Sequence, residues 1–387
     1  MKILFFSSQL IFAGTRFGGA KRLYAFAREL AKRHEVYVMC IDGCREMAIL
    51  PADTGFAHYL ALPDADRHVG AKESYWRLPV DVRGGLERER PRWQAFLGDT
   101  RFDAVVLAFP FGLSFLDIFP RDFAGPIVYI EDDLYPEFLR LRIAKGQGPL
   151  RRLSRRLRYH QALGFYRRNL LRVSTYAGIS TEEIAIMGRL FPGLKSQQLR
   201  YGIEAAEHPT LPPQSPLRMG FIGNFLHVPN ADGLAWLLES IWPVLRKGLP
   251  GARLFIAGVG FPSALREKYA ADADIAWMEN VPRLEDFYRE IGVFLNPIVS
   301  GRGMRTKLIE AAAYGRPLIS TALGAEGVSD LRIEIAETPE AFLTACRRLA
   351  QDEYLRTGIA AGNRARIESA YDIAAVTREL EALLRTV

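Results

Sequence analysis

The stretch from Val293 to Thr321 limits most sharply what this 387-residue chain can fold into. Val293 to Ile298 reads as a buried strand, Gly301 and Gly303 bracket a turn, a helix follows and stops at Gly315, and Pro317 to Thr321 reads as a second buried strand. Met304, Leu308, Ala311 and Ala312 recur at the spacing of a helix face laid on a sheet, while Thr306, Lys307 and Glu310 share the opposite face. Strand, turn, helix and strand in this order form a unit of a doubly wound α/β sheet. Glycines at the helix start free the backbone to present unpaired N–H groups, which together with the dipole make a natural anion site. A lysine in the first turn opposes that dipole and makes sense beside an anionic ligand.

The amino-terminal half opens in the same manner. Lys2 to Ser8 reads as a continuous buried strand, Gly14, Gly18 and Gly19 as a turn, a helix runs to about Arg33, and Glu35 to Ile41 forms the next strand. Further strands are expected at Ala104 to Phe109, Pro126 to Ile130, Tyr176 to Ser180 and Leu199 to Ile203. Residues 44–101 are too long for a plain connection and are expected to hold partly helical inserted loops. Residues 204–216 carry four prolines and no apolar period, which marks a linker. A second doubly wound domain then starts afresh at Leu217 to Ile222, with Asn230 placed to cap a helix to about Arg246, and further strands at Arg253 to Ala257 and Ile275 to Met278. The expected division is therefore 1–203, a linker at 204–216, a second domain at 217–365 and a terminal helix within 366–387.

Length and composition agree with two ordinary folded domains, and no uncharged apolar run reaches the ~18–20 residues that cross a bilayer. Met1 to Ala13 has the outline of a short signal peptide, but a first buried strand ending in a glycine turn accounts for it better. Cys40, Cys44 and Cys346 are too few and scattered for a disulfide framework, which suits a reduced cytoplasmic setting. The net charge of +7 favours anionic partners. It concentrates in residues 139–172, with eleven basic residues, no acidic one and interleaved leucines, the pattern of a helix lying on anionic lipid headgroups, with another anionic partner and an ordinary arginine-rich surface face as the alternatives. No nucleic-acid recognition module accompanies it, and the lack of a Gly-x-Gly-x-x-Gly after the first strand argues against a nicotinamide dinucleotide.

The segment around Gly301 to Thr321 resembles the nucleotide-sugar site of retaining GT-B glycosyltransferases in the family 4 group, in which a Gly-rich turn leads to a helix carrying a Lys and a Glu. The resemblance implies two Rossmann-like domains facing a cleft, with the last helix crossing back to the first domain. It further implies that Gly301, Gly303, Arg305 and Lys307 hold the donor diphosphate and that Glu310 binds the ribose. Met304 and Thr306 belong to the same turn. The loop opening at Gly223 is similar to family members with Gly-x-x-x-x-x-Pro-Asn, Gly18 and Gly19 resemble the amino-domain glycine pair, and Val281 falls where the relatives' backbone meets the base. Arg302 stands where the family places the first Glu of its Glu-x7-Glu motif, which puts the sugar side of the site in question. The usual phosphate-clamping Arg and Lys after Gly223 are missing, so Arg302, Arg305 and Lys307 are expected to supply the charge.

Asp132 and Asp133 lie just past a parallel strand, where α/β proteins place ligands, and the resemblance turns this loop toward the acceptor. Their alternative reading is a helix cap with solvated neighbours. The activity implied is retaining transfer of a sugar from a UDP- or GDP-sugar to a hydroxyl acceptor, lipid-linked in many relatives, without a metal cofactor. Asp132, Asp133, Arg302 and Lys307 are the catalytic candidates. A nucleotide-sugar epimerase and a non-catalytic membrane-associated binding protein are the competing readings.

Overall fold

The structure is a computed structural model that describes residues 1–12, 18–41, 51–62, 80–131, 134–144, 148–301 and 304–386. It divides into one unit of Met1–Gly202 with Ile373–Val387 and a second of Ile203–Asp372.

The first unit runs β1 (Lys2–Ser7), α1 (Gly18–Ala31), β2 (Glu35–Ile41), β3 (His58–Leu62), α2 (Val80–Arg88), α3 (Arg90–Leu97), β4 (Ala104–Ala108), β5 (Ile127–Glu131), α4 (Tyr135–Ala144), α5 (Pro149–Leu170), β6 (Thr175–Gly178), α6 (Thr181–Leu190) and β7 (Ser196–Gln198). Its seven strands are all parallel, in the order β3-β2-β1-β4-β5-β6-β7. Along β1, Leu4 and Phe6 enter one hydrophobic core while Ile3 and Phe5 enter another. A strand buried on both faces has to read as an unbroken apolar run, as residues 3–6 do.

The second unit runs β8 (Arg218–Asn224), α7 (Val228–Trp236), α8 (Trp242–Gly248), β9 (Arg253–Val259), α9 (Ser263–Lys268), β10 (Ile275–Glu279), α10 (Leu284–Glu290), β11 (Val293–Asn296), α11 (Thr306–Ala313), β12 (Leu318–Ser320), β13 (Ile333–Ile335), α12 (Pro339–Gln351) and α13 (Glu353–Arg366). Six parallel strands stand in the order β10-β9-β8-β11-β12-β13. The strand order reverses between β8 and β11, and such a reversal opens a crevice beyond the carboxyl ends of the strands. The chain then returns to the first unit as α14 (Ile373–Leu383), which packs on α1 through Val376, Leu380 and Leu383. Glu381 on α14 pairs with Arg33 at 3.0 Å, His34 at 3.1 Å and Arg385 at 2.7 Å.

Several elements differ from the sequence expectation. Leu199 to Ile203 is not a strand, and the polar Ser196–Gln198 forms the sheet edge instead. Gly202 shows why the chain departs there: a Cβ on it would sit 2.7 Å from Ile373 Cδ1, so residue 202 is pressed against the base of α14. The helix after β8 begins at Val228, with Pro229 and Asn230 already inside its first turn, and a π-helical turn at Leu237–Ile241 separates α7 from α8. Proline is well placed at the second helical position, because its missing N–H would have had no partner there.

Residues 204–216 form no loose linker in the second unit. The Leu211 N–H donates to Tyr314 O at 3.2 Å, Arg316 Nη1 to Pro212 O at 3.0 Å, and Arg364 to Ala205 O at 3.2 Å and to His208 O. Two distant arginines take the segment's carbonyls, Arg316 that of Pro212 and Arg364 those of Ala205 and His208.

Candidate functional site

The crevice between β8 and β11 is walled by the loop from β8 into α7 on one side and the loop from β11 into α11 on the other. Lys307, in the first turn of α11, reaches across it: its Nζ lies 2.7 Å from Asn230 Oδ1 on α7 and 4.7 Å from the centre of the Phe221 ring on β8. Asn230 is itself held, its Nδ2 donating to Asn224 O at 2.8 Å. The Asn224 side chain closes its own turn by accepting from the Leu226 N–H at 3.0 Å. A second bridge joins the walls where Ser300 Oγ donates to Asp232 Oδ2 at 2.8 Å.

Three glycines let the backbones approach this closely. Gly223 leaves room for Asn230, whose Cγ would lie 3.1 Å from a Cβ there. Gly301, at φ 84°, turns the β11 loop back against Pro229, which would stand 2.6 Å from a Cβ. Gly258, opposite Gly223 in the register, has φ 142° and its carbonyl accepts from Asn280 N at 3.0 Å. Asn280 in turn takes φ 51°, an uncommon value outside glycine, and so sets the direction of the loop entered by Val281.

Cations dominate the electrostatics. Burial pushes Lys307 down to about 7; Arg305 adds to the fall and Glu310 opposes it. His227, at the start of α7, keeps part of its surface in water but is held below its ordinary value by partial desolvation and then by Arg305 and Lys307. Arg305 is buried at 8% exposure and directs Nη2 to Ser300 O at 3.3 Å, so it braces the loop from within. Mutual repulsion among these groups is relieved when an anion binds between them.

The structure thus gathers Gly223, Gly301, Met304, Arg305, Thr306, Lys307 and Glu310 around one end of the second sheet. Met304 packs on Gly327, Thr306 is the first residue of α11, and Glu310 is half-buried on the same helix. Val281 follows β10, two strands away from β8. Gly18 and Gly19 open α1 in the other unit. Arg302, Gly303, Asp132 and Asp133 lie outside the described residues.

Asn230 is the site residue that sequence reasoning assigned to the wrong task. It does not cap α7: the cap position is His227, without a side-chain cap bond, and the Asn230 amide is spent on Asn224 and Lys307. Its only signal in the sequence was the Pro-Asn pair seven residues past Gly223. Just before Asp132, Glu131 is fully buried, accepting from Tyr129 Oη at 2.9 Å, Tyr166 Oη at 2.8 Å and Tyr135 N at 2.8 Å. Among the described residues no group of three or more His, Cys, Asp or Glu is placed to hold a metal ion.

The basic region divides in two. Arg140 is paired with Glu137 at 2.6 Å, Arg168 stands 3.6 Å from Asp117, and Arg172 donates to Pro120 O at 3.1 Å, so these three serve the fold. The first half of α5 is exposed, with Leu150 81%, Leu153 55% and Leu157 57% accessible among arginines. Among the described residues, no helix is long and apolar enough to cross a membrane.

Residues 216–352 match the family described as Glycosyl transferases group 1. A 114-residue segment is 29% identical to an "Uncharacterized 44.6 kDa protein in cps region" of Klebsiella pneumoniae, covering 28% of this chain and 29% of that protein's length. Among solved structures, sucrose-phosphate synthase from Thermosynechococcus elongatus has a TM-score of 0.71 at 13% identity, over 99% of this chain and 98% of that one. HepE of Anabaena in complex with UDP has 0.66 at 12% identity, and WaaG, "a glycosyltransferase involved in lipopolysaccharide biosynthesis", 0.62 at 16%, each over the full length of both chains. The fold is GT-B, two doubly wound parallel sheets with their helices.

Proposed function

We propose that this chain, a GT-B protein whose second unit carries a group 1 glycosyltransferase domain, moves a sugar with retention of configuration from a nucleoside diphosphate sugar to a hydroxyl acceptor. The observation that carries the reading is Lys307, set at the strand-order switch beneath two glycine-shaped loops and depressed by its own surroundings. Departure of the nucleoside diphosphate builds charge on its phosphate oxygens. The N–H groups at the start of α11 and the Lys307 ammonium are fixed donors for that charge. Retention is read as attack on the face the diphosphate leaves, with its oxygen taking the acceptor proton, so a glycosidase-type carboxylate pair is not required.

UDP is the favoured leaving group, since HepE has been solved with UDP and with UDP-glucose; GDP is the alternative. The reaction is read as metal-independent, the cationic cluster taking the place a divalent ion would fill. Asp132 and Asp133, following the rigidly held Glu131, are the candidates for orienting the acceptor hydroxyl. The acceptor is read as lipid-linked and the enzyme as a peripheral protein on the inner face of the cell membrane. The exposed leucines of α5, with the arginines around them, support that placement.

Incubation with radiolabelled UDP- and GDP-sugars and an extract of lipid-linked glycans tests the reading. Release of nucleoside diphosphate with a new glycoside is expected. Interconversion of the donor without transfer would mark an epimerase, and binding without turnover a non-catalytic protein; either outcome overturns it.

A further inference from the structure

The Lys307 ammonium has three N–H donors, and its one hydrogen bond among the described residues goes to Asn230 Oδ1 at 2.7 Å. The Phe221 ring lies on another side at 4.7 Å and accepts the cation only through its π face. Donor capacity is therefore left over in a half-buried place, and the direction of the side chain is decided by Asn230.

The Asn230 amide cannot rotate away from this role. Its Nδ2 is committed to Asn224 O at 2.8 Å. A half-turn would set two acceptors face to face at Asn224 and the NH2 group against the ammonium at Lys307. The backbone holds the residue as firmly: Asn230 N donates to His227 O at 3.0 Å, and the side chain lies against Gly223. A neutral oxygen is also the right partner in kind. It orients the ammonium without cancelling the charge that an anionic ligand needs, whereas a carboxylate would compete with the ligand.

We propose that Asn230 is a positioning residue of the donor site, anchored to the end of β8 and presenting the Lys307 ammonium to the diphosphate. This rests on the reading of the crevice as a nucleotide-sugar site.

A positioning role has a consequence that simple packing lacks, because an acceptor on an ammonium stabilises its charged form. Among the described residues, the other charged and titratable groups near Lys307 include Arg305 and Glu310 from its own segment, His227 before α7, Tyr288 on α10, which donates to Lys307 O at 3.3 Å, and Asp232 on α7, which accepts from Ser300. His227 is shifted down from its ordinary value by desolvation and then by Arg305 and Lys307, away from the range above neutrality. With Lys307 near 7 in the ligand-free protein, binding above that pH must take up a proton. Affinity then falls by up to about tenfold per pH unit.

The test measures affinity for UDP-glucose and GDP-mannose by calorimetry from pH 6 to 9, using the full chain. Their diphosphates carry no proton that titrates in this range. For the wild type the fall should begin near pH 7. Asn230→Ala removes the acceptor, so the fall should begin at a lower pH. Asn230→Asp keeps the size; the fall should begin at a higher pH, with binding at pH 7 weakened roughly tenfold by competition with the ligand. Circular dichroism confirms folding, and the conservative Asp variant stands in if the Ala variant does not fold. Unchanged onset in the folded variants overturns the role of Asn230 alone. Failure of the wild type to bind either sugar nucleotide overturns the donor-site reading with it.

Discussion

Gly258 stands opposite Gly223 in the register of β8 and β9, and a Cβ on Gly258 would lie 1.8 Å from the Gly223 carbonyl oxygen. Its φ of 142° is closed to other residues as well. The pair lets the ends of two strands close beneath the loop that carries Asn224 to His227.

Gly258→Ala therefore combines a forbidden backbone with a collision and should cost about 3 kcal/mol or more. The comparison is Gly188→Ala on α6, where an added Cβ meets nothing within 4 Å. That change should be neutral or stabilise by about 0.5–1 kcal/mol. Urea unfolding followed by tryptophan fluorescence and circular dichroism measures both. Equal stabilities would contradict the geometry at Gly258.

Lys307→Met should separate stability from activity. A lysine whose folded value is depressed is less stable when charged, so its folded state loses stability as pH falls from the usual lysine range toward about 7. Removing the charge at pH 7 should raise the melting point of the ligand-free protein, by about 2–4 °C per kcal/mol gained. Turnover should fall by about two to three powers of ten, as with loss of one fixed donor to a developing anion. Differential scanning fluorimetry and donor turnover read the two effects. A lower melting point with activity intact would contradict this placement of the charge.

Arg364 gathers three carbonyls, Ala205 O at 3.2 Å, Ala313 O at 2.6 Å and His208 O, and pairs with Glu368 Oε1 at 2.7 Å. It ties the proline-rich strap to the carboxyl end of α11, whose other end carries Lys307. Arg364→Met keeps the stem but strands the carbonyls, at a cost of about 2–3 kcal/mol. Limited proteolysis should then cut first within 204–216. An unchanged cleavage pattern would show that the strap is held by other contacts.

The apolar runs at residues 3–6 and 293–298 made both parallel sheets legible, since a strand covered on both faces leaves little room for another reading. The clustering of Gly301, Arg305 and Lys307 at one end of the second sheet was legible because these residues are local to one turn. What escaped depends on residues far apart in sequence. Asn230 and Lys307 are 77 positions apart, and a Pro-Asn pair at a helix start reads as a cap when its partner is out of view. Ser196–Gln198 joins the sheet as a polar edge strand with nothing apolar to announce it. Prolines at 209, 212, 213 and 216 read as a linker because the arginines that fasten the segment sit at 316 and 364. In the region 44–101 helices were expected, and α2 and α3 are there, but β3 was not foreseen.

Acid should loosen α14 from α1 through Glu381. Hydrogen bonds from Arg385, then Arg33 and His34, hold its carboxyl at about 2, against an ordinary 4.5. A depressed carboxylate contributes stability that is present above 4.5 and is lost as pH falls toward 2. Glu381→Gln should lower the melting point at pH 7, and the difference from the wild type should shrink as pH falls from 5 to about 2. A difference that stays constant over that window would remove Glu381 from the account.

The donor site is tested most directly by a crystal structure with whichever of UDP, GDP, ADP and dTDP most raises the melting point. Diphosphate oxygens should lie within hydrogen-bonding distance of Lys307 Nζ and of the backbone N–H groups at the start of α11, with Asn230 still holding the ammonium from behind. A diphosphate bound away from the crevice between β8 and β11 would contradict it.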